Sequence, residues 1–370
     1  MLDLRDMDRL EIDPATRTAW AEPGVLAGDF TRAAHEHDLA MSFGDTGTVG
    51  IGGLTLGGGI GWLVRKHGLT IDSLLAVEIV TADGTHRTAS AQEDVDLFWA
   101  LRGGGGNFGV ATRFKFQLHP VGPVLFGTIV MRATREVLAG LVPAVLSAPD
   151  ELTLMSAIMP IPPIDEIDAK LHGSLGVLIG LMWAGPVEDG HRALEQIRSL
   201  GEPLFEDVAE QPYTAAYPPR ASNRDPWTSR SIFLPMLGDE VIDIITRRMA
   251  GAPSPSALVH VRTLGGAVSR IAPDATAYGW RDRPMLLWII ADFTGGEPAD
   301  LPLHERWAAD FLDELRPLGE GSYVNFTGAA EGPEAARSSY PARTWDRLRT
   351  IKARYDPSNI FAQNENIPPA

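Results

Sequence analysis

The chain has 370 residues, of which 32 are Lys or Arg, 48 are Asp or Glu and none is Cys. That length exceeds one typical core, so two domains are expected, and a formal net charge of −16 argues against nucleic acid and against anionic membrane surfaces, both of which are gripped by Lys and Arg. The missing thiol excludes disulfides, thiolate metal sites, cysteine nucleophiles and thioether links to a cofactor.

In chain order, residues 9–22 alternate in polarity and predict a strand pair broken at Asp13-Pro14. A helix follows with Leu26, Phe30, Ala33, Ala34 and His37 on related faces. The stretch from Ser42 to Gly53 is too rich in glycine for a regular element, and Gly57 to Gly61 leads into a short helix through Trp62, Leu63 and Arg65. Leu74 to Thr81 is a strong strand, Asp83-Gly84 a hairpin turn and His86 to Thr88 the return strand. A short helix over Asp94–Leu101, a second glycine cluster over Gly103–Gly109 and a strand over Val110–Leu118 complete this part.

His119 to Pro123 is expected to be a linker. Beyond it, strands are expected at 125–131, 152–161, 173–184, 256–262 and 285–293, with helices at 135–147, 188–200, 238–250 and 303–317. Strands that follow one another, with helices interspersed irregularly, predict an α+β fold with a mixed or antiparallel sheet covered on one face. The tail from Tyr340 is a helix rich in Arg and Lys, then Asp356-Pro357 and an extended end. No run of about 18 apolar residues predicts a membrane span. The start Met1-Leu-Asp-Leu-Arg5 lacks the basic and apolar regions of a secretory leader, so a cytoplasmic location is expected.

The glycines carry the functional signal. Gly104-x-Gly106-x-x-Gly109 formally matches the dinucleotide fingerprint, but here a helix precedes and a strand follows. The fingerprint needs the reverse, so that a helix N-terminus faces the pyrophosphate. No Walker sequence occurs either. Glycine lets backbone approach a ligand closely, and two clusters interleaved with Thr46, Thr48 and Asn107 suggest a flat cofactor lying against main chain; tight turns alone are the plainer alternative.

Three segments make the pattern specific. Gly44-Asp-Thr-Gly-Thr-Val-Gly-Ile-Gly-Gly-Leu-Thr-Leu-Gly-Gly-Gly-Ile-Gly61, with Arg65-Lys-His-Gly-Leu69, closely resembles the central flavin-binding motif of berberine-bridge-enzyme-like oxidases. Asp96 to Val110 resembles that family's second motif, and Tyr355 to Phe361 with Asn364 to Pro369 its C-terminal signature. Tyr323-Val-Asn325 looks like its Tyr-x-Asn-Tyr strand. The resemblance implies an FAD-binding domain of the vanillyl-alcohol-oxidase (PCMH) type over residues 1–121, a substrate domain over 122–335 built as an antiparallel sheet covered by helices, and a C-terminal segment, 336–370, returning to the FAD domain.

Carried over by position, the resemblance implies that Thr46, Gly47, Thr48, Val49, Gly50, Gly52, Gly53, Gly57, Gly58, Gly59, Ile60 and Gly61 line FAD. It implies Gly105, Asn107, Gly109 and Val110 on the adenosine side, and Asn325, Asn364 and Asn366 near the ring. Three departures qualify this. The family's earlier subdomain carries a Gly-Gly-His whose histidine bonds to the flavin; no Gly-Gly-His occurs here, and Met1–Met7 matches the strand just after that subdomain. A start placed too far downstream is the expected reason, a genuine fragment the alternative. Thr46 stands where doubly linked members have cysteine, so FAD is expected to be held without a thioether, non-covalently in this chain. Phe326 stands where many members have a tyrosine base.

A base of this kind contributes about 10²–10⁴-fold, so another group is needed, and Tyr323 is the nearest candidate; its bland reading is a buried strand tyrosine. Trp280, in Thr276-Ala-Tyr-Gly-Trp-Arg281, stands where relatives often show histidine, and with Phe326 is expected at the substrate. His35 and His37 lie on different helix faces, so no metal pair is expected. His67 reads as structural. The expected function is a bacterial-type FAD-linked oxidoreductase of secondary metabolism, taking a hydride from a small alcohol, sugar or other metabolite, with oxygen as acceptor. The alternative is a flavin-free chain that only binds a ligand or partner.

Overall fold

A computed structural model of the chain describes residues 2–218, 227–292, 300–327, 331–363 and 365–370. Up to residue 120 the elements are β1 (Leu10–Asp13), β2 (Thr18–Ala21), α1 (Ala27–His35), β3 (Leu39–Ala40), α2 (Ile51–Gly57), α3 (Val64–His67), β4 (Leu74–Val80), β5 (His86–Ser90), α4 (Val95–Leu101), β6 (Val110–Gln117) and β7 (His119–Pro120). Five of these strands form an antiparallel sheet in the order β1-β2-β6-β4-β5. Its hairpin between β4 and β5 turns at Gly84, which has φ +75°, the left-handed conformation that the Asp-Gly pair supplies cheaply.

The remaining elements are β8 (Val124–Arg132), α5 (Arg135–Ser147), β9 (Leu152–Pro160), β10 (Leu175–Trp183), α6 (Val187–Arg198), β11 (Pro203–Gln211), β12 (Trp227–Leu234), α7 (Asp239–Ala250), β13 (Leu258–Thr263), α8 (Ala267–Arg270), β14 (Met285–Asp292), α9 (Leu301–Leu315), α10 (Pro333–Ser338) and α11 (Ala342–Tyr355). Seven strands pair antiparallel in the order β11-β8-β10-β9-β13-β14-β12. The antiparallel sheet covered by helices is the architecture expected.

Strand alternation gives this sheet two different faces. On one, Val259 and Val261 of β13 and Leu287 and Ile289 of β14 pack with Leu138, Leu141 and Val145 of α5, Ile245 of α7 and Phe311 of α9. Each fully buried aliphatic side chain of that kind contributes about 1.5–3 kcal/mol. On the other face Met155 of β9, Met182 of β10, Phe233 of β12 and Leu286 of β14 join the core that holds β2, β6 and α1. The sheet is therefore apolar on the helix side and mixed on the other.

Four sequence expectations change. The segment 42–53 does contain a regular element, because Ile51 and Leu56 bury one side of α2. Its Gly52 lies so close to Pro23 that a Cβ would come within 2.8 Å, which explains a glycine that helix propensity disfavours. The expected linker at His119 instead begins with β7, which pairs with β3. β11 has no clear apolar pattern because it is an edge strand with a mostly exposed face. β12 escaped because Thr228, Ser229, Arg230 and Ser231 are buried polar residues that mask a strand period.

Candidate active site

A cavity of about 560 Å³ opens between the glycine-rich segment and the mixed face of the seven-stranded sheet. That is within the usual size of a small-molecule site. Gly44, Asp45, Thr46, Val49, Leu54, Gly59 and Ile60 form one wall; Trp227, His260, Arg262, Trp288 and Ile290 form the other; Tyr323, Asn325 and Phe326 close one side.

The second wall follows from register. His260 lies opposite Trp288, and Trp288 lies opposite Ser231, so β13, β14 and β12 present neighbouring side chains to the same space. Phe326 stacks on Trp288 with ring centres 4.0 Å apart, and His260 stacks on Trp288 at 5.7 Å. The Arg262 guanidinium lies 5.3 Å from the Trp288 ring centre and 5.0 Å from that of Phe326. Arg262 also donates to the Asp45 carboxylate at 2.7 Å, bridging the two walls. Burial is the largest influence on Asp45 and would raise its pKa, but the Arg262 and His260 charges and the hydrogen bonds from Arg262 and Thr46 together outweigh it and hold the carboxyl below its ordinary value.

The segment at Tyr323 is pinned to the sheet. The Tyr323 amide donates to Ser231 Oγ at 3.0 Å, and Ser229 Oγ donates to the Phe326 carbonyl at 3.0 Å. The Tyr323 hydroxyl accepts from the Gly59 amide at 2.7 Å and from Asn325 Nδ2 at 2.9 Å. Burial pushes this phenol up to about 12 although both donors favour the ionised form. Asn325 also donates to the Leu54 carbonyl, and a Cβ on Gly57 would come within 2.0 Å of its Oδ1.

Of the residues expected at the flavin, Thr46, Val49, Gly59, Ile60 and Asn325 line the cavity together with Tyr323 and Phe326. Gly47, Thr48, Gly50, Gly52, Gly53, Gly57, Gly58 and Gly61 belong to the same wall but are not on its lining. Gly61 is required by the protein itself, since a Cβ there would overlap the Phe43 carbonyl; beside Gly53 there is open space.

The second glycine cluster is elsewhere. Asn107 Nδ2 donates to the Gly104 and Glu365 carbonyls, and its Oδ1 accepts from the Ile367 amide. Its side chain thus clips the C-terminal segment. Gly105 has φ +67° and Gly109 packs on the Val80 carbonyl, while Val110 starts β6. Asn366 keeps a buried Oδ1 with no partner among the described residues. Asn364 lies outside the described residues. Trp280 is not on the cavity: it donates to the Ser339 carbonyl and stacks on Phe233.

Sequence reasoning missed Asp45, His260, Arg262, Trp227 and Trp288 as site residues. Asp45 stood inside a recognised motif; the others carry no local signature, since Arg262 and Asp45 meet across 217 positions. Among the described residues no cluster of three or more His, Asp or Glu is placed to hold a metal ion, and no helix is long and apolar enough to cross a membrane.

The residues present fit a flavin. One wall offers glycine-rich main chain, the other stacked rings. Arg262 Nε and Trp288 Nε1 are buried donors without a partner among the described residues; such donors cost about 1–3 kcal/mol each until an acceptor meets them, and flavin carbonyls are acceptors.

The chain is similar to known proteins over its whole length. Residues 1–90 match the family described as FAD binding domain, and residues 322–368 that described as berberine and berberine like. An FAD-linked oxidoreductase of Dictyostelium discoideum is 31% identical over all of this chain and 79% of its own length. The (R)-6-hydroxynicotine oxidase of Paenarthrobacter nicotinovorans is 29% identical over the whole chain and 81% of its own. The solved structure of a xylooligosaccharide oxidase from Myceliophthora thermophila, in complex with xylobiose, superposes with a TM-score of 0.85 at 25% identity, covering 100% of this chain and 82% of that one.

Proposed function

The chain belongs to the berberine-bridge-enzyme-like FAD-linked oxidoreductases, and from that premise we propose that it is an oxidase of a small hydroxylated metabolite, an alcohol or a sugar, with molecular oxygen as the acceptor. The observation that carries the proposal is the two-walled cavity of about 560 Å³, with backbone on one side and a stacked aromatic face on the other. The segment from Thr46 to Gly61 would hold the cofactor, with Tyr323 and Asn325 at its edge. Bound FAD supplies a two-electron acceptor for a hydride from a substrate C–H bond. The protein's own part is to seat the substrate beneath Trp288, Phe326 and Trp227, to exclude water there and to keep the Asp45–Arg262 pair in place.

Thr46 cannot form a thioether, and the chain contains no cysteine, so the proposal includes flavin held without that link. The substrates named for the relatives, a hydroxynicotine and a xylooligosaccharide, support a small polar ring as the occupant. The test is oxygen consumption by FAD-loaded protein against a panel of alcohols, mono- and oligosaccharides and hydroxylated aromatics. The expected result is hydrogen peroxide formed in equal amount to oxidised product. Substrate oxidation that proceeds with a dye and yields no peroxide would contradict the oxygen assignment; no oxidation of any class would contradict the whole proposal.

A further inference from the structure

Phe326 lines the cavity but carries no group that could take a substrate hydroxyl proton. The titratable side chains among its described lining residues are Asp45, His260, Arg262 and Tyr323. Asp45 is committed to Arg262 at 2.7 Å and is held ionised by it, so it is a weak base. Arg262 is a permanent cation. Tyr323 is 2% exposed, already accepts two N–H donors, and titrates far above neutrality.

We propose that His260 is the catalytic base of this chain, taking the hydroxyl proton of the substrate in the place left by Phe326. This rests on the oxidase reading above. His260 is half-buried, at the cavity wall, and one ring removed from Phe326 in the stack that runs through Trp288. Imidazole is the side chain suited to gain and lose a proton near neutral pH. The Asp45 carboxylate, which lines the same cavity, would stabilise the imidazolium once it forms. Arg262, two residues along the same strand, opposes it, but its charge is offset by the same carboxylate. No other charged group lines the cavity among the described residues. The O–H proton would pass to the imidazole ring and the C–O would become C=O as the C–H hydrogen left with its electron pair, for which bound FAD would supply the two-electron acceptor.

Two readouts test this. In FAD-loaded protein with the best substrate of the panel, His260→Gln is expected to lower kcat/KM by about 10²–10⁴-fold and to abolish the rising limb of its pH profile, with flavin affinity unchanged; His260→Gly should recover rate on addition of free imidazole. In FAD-free protein, the ring signals of His260, assigned by their absence in His260→Gln, should respond to pH, and the midpoint should move down in Asp45→Asn, which removes the opposite charge. An H260Q enzyme with native kcat/KM and an intact pH limb overturns the inference. If the native protein oxidises nothing, the oxidase reading fails, and a His260 titration that ignores Asp45→Asn then overturns the inference independently.

Discussion

A single tyrosine shows how much of the site is held by one side chain. The Tyr323 hydroxyl is the acceptor for the Gly59 amide and the Asn325 side chain, and it ties the 3-10 turn at Val324–Phe326 to the glycine-rich wall. Removing that oxygen leaves the buried Gly59 amide without its acceptor, while the exposed Asn325 side chain keeps the Leu54 carbonyl. Tyr323→Phe is therefore expected to lose about 1–3 kcal/mol of unfolding free energy in urea, with the fold otherwise intact. A variant as stable as the native chain would mean that the contact carries no weight. The residue was legible in the sequence as part of a motif, but its role was not. The sequence offered it as a candidate base, and only the geometry shows the hydroxyl occupied as an acceptor. His260 and Arg262 were invisible for a different reason: a strand with one polar face has no signature until its partners are known.

At the scale of elements, α4, β4–β6 and most of the second sheet could be read from period and turn residues. What could not be read was an element whose buried face is polar, such as β12, or one whose face is exposed, such as β11. The C-terminal segment is a similar case. Its attachment depends on Asn107 and on Lys352, a fully buried cation that donates to Asp356 and to the Asn107 and Phe361 carbonyls; nothing in the local pattern announces that clip. The junction of α3 with β7 makes a measurable prediction. His67 and His119 stack with ring centres 3.9 Å apart, and Ser73 Oγ lies 2.8 Å from His119 Nε2.

Burial, then the neighbouring His119 and Lys66, lowers His67 to about 3, and burial lowers His119. Both rings are thus neutral in the folded chain at pH values where the unfolded chain protonates. Stability should be fully present above about pH 6.5, the unfolded value, and fall as pH drops below it, by up to about 1.4 kcal/mol per pH unit for each ring. Urea midpoints at pH 7 and pH 5 measure this, and His67→Gln with His119→Gln should flatten the difference. A double variant with the native pH dependence would assign the acid sensitivity elsewhere.

On the scale of the molecule, the seven-stranded sheet serves two purposes. Its helix side stores most of the apolar burial of that half, and its other side can therefore carry Trp227, His260, Arg262 and Trp288 without loss of the fold. The glycine-rich wall is the converse: Gly57, Gly59 and Gly61 are glycines because Asn325, Thr70 and Phe43 leave no room for a side chain, so the shape that admits a cofactor is fixed by contacts within the protein. On the function proposed above, FAD occupies the cavity between these two walls. Titration of FAD, followed by quenching of tryptophan fluorescence and by the flavin visible band, tests it most directly, using the native chain, Leu54→Trp to fill the cavity and Ala309→Trp to fill the separate hollow beside Arg230. Saturable binding is expected for the native chain, with at least a tenfold loss in L54W and none in A309W. Equal affinity in all three proteins, or no binding by the native chain, would contradict it.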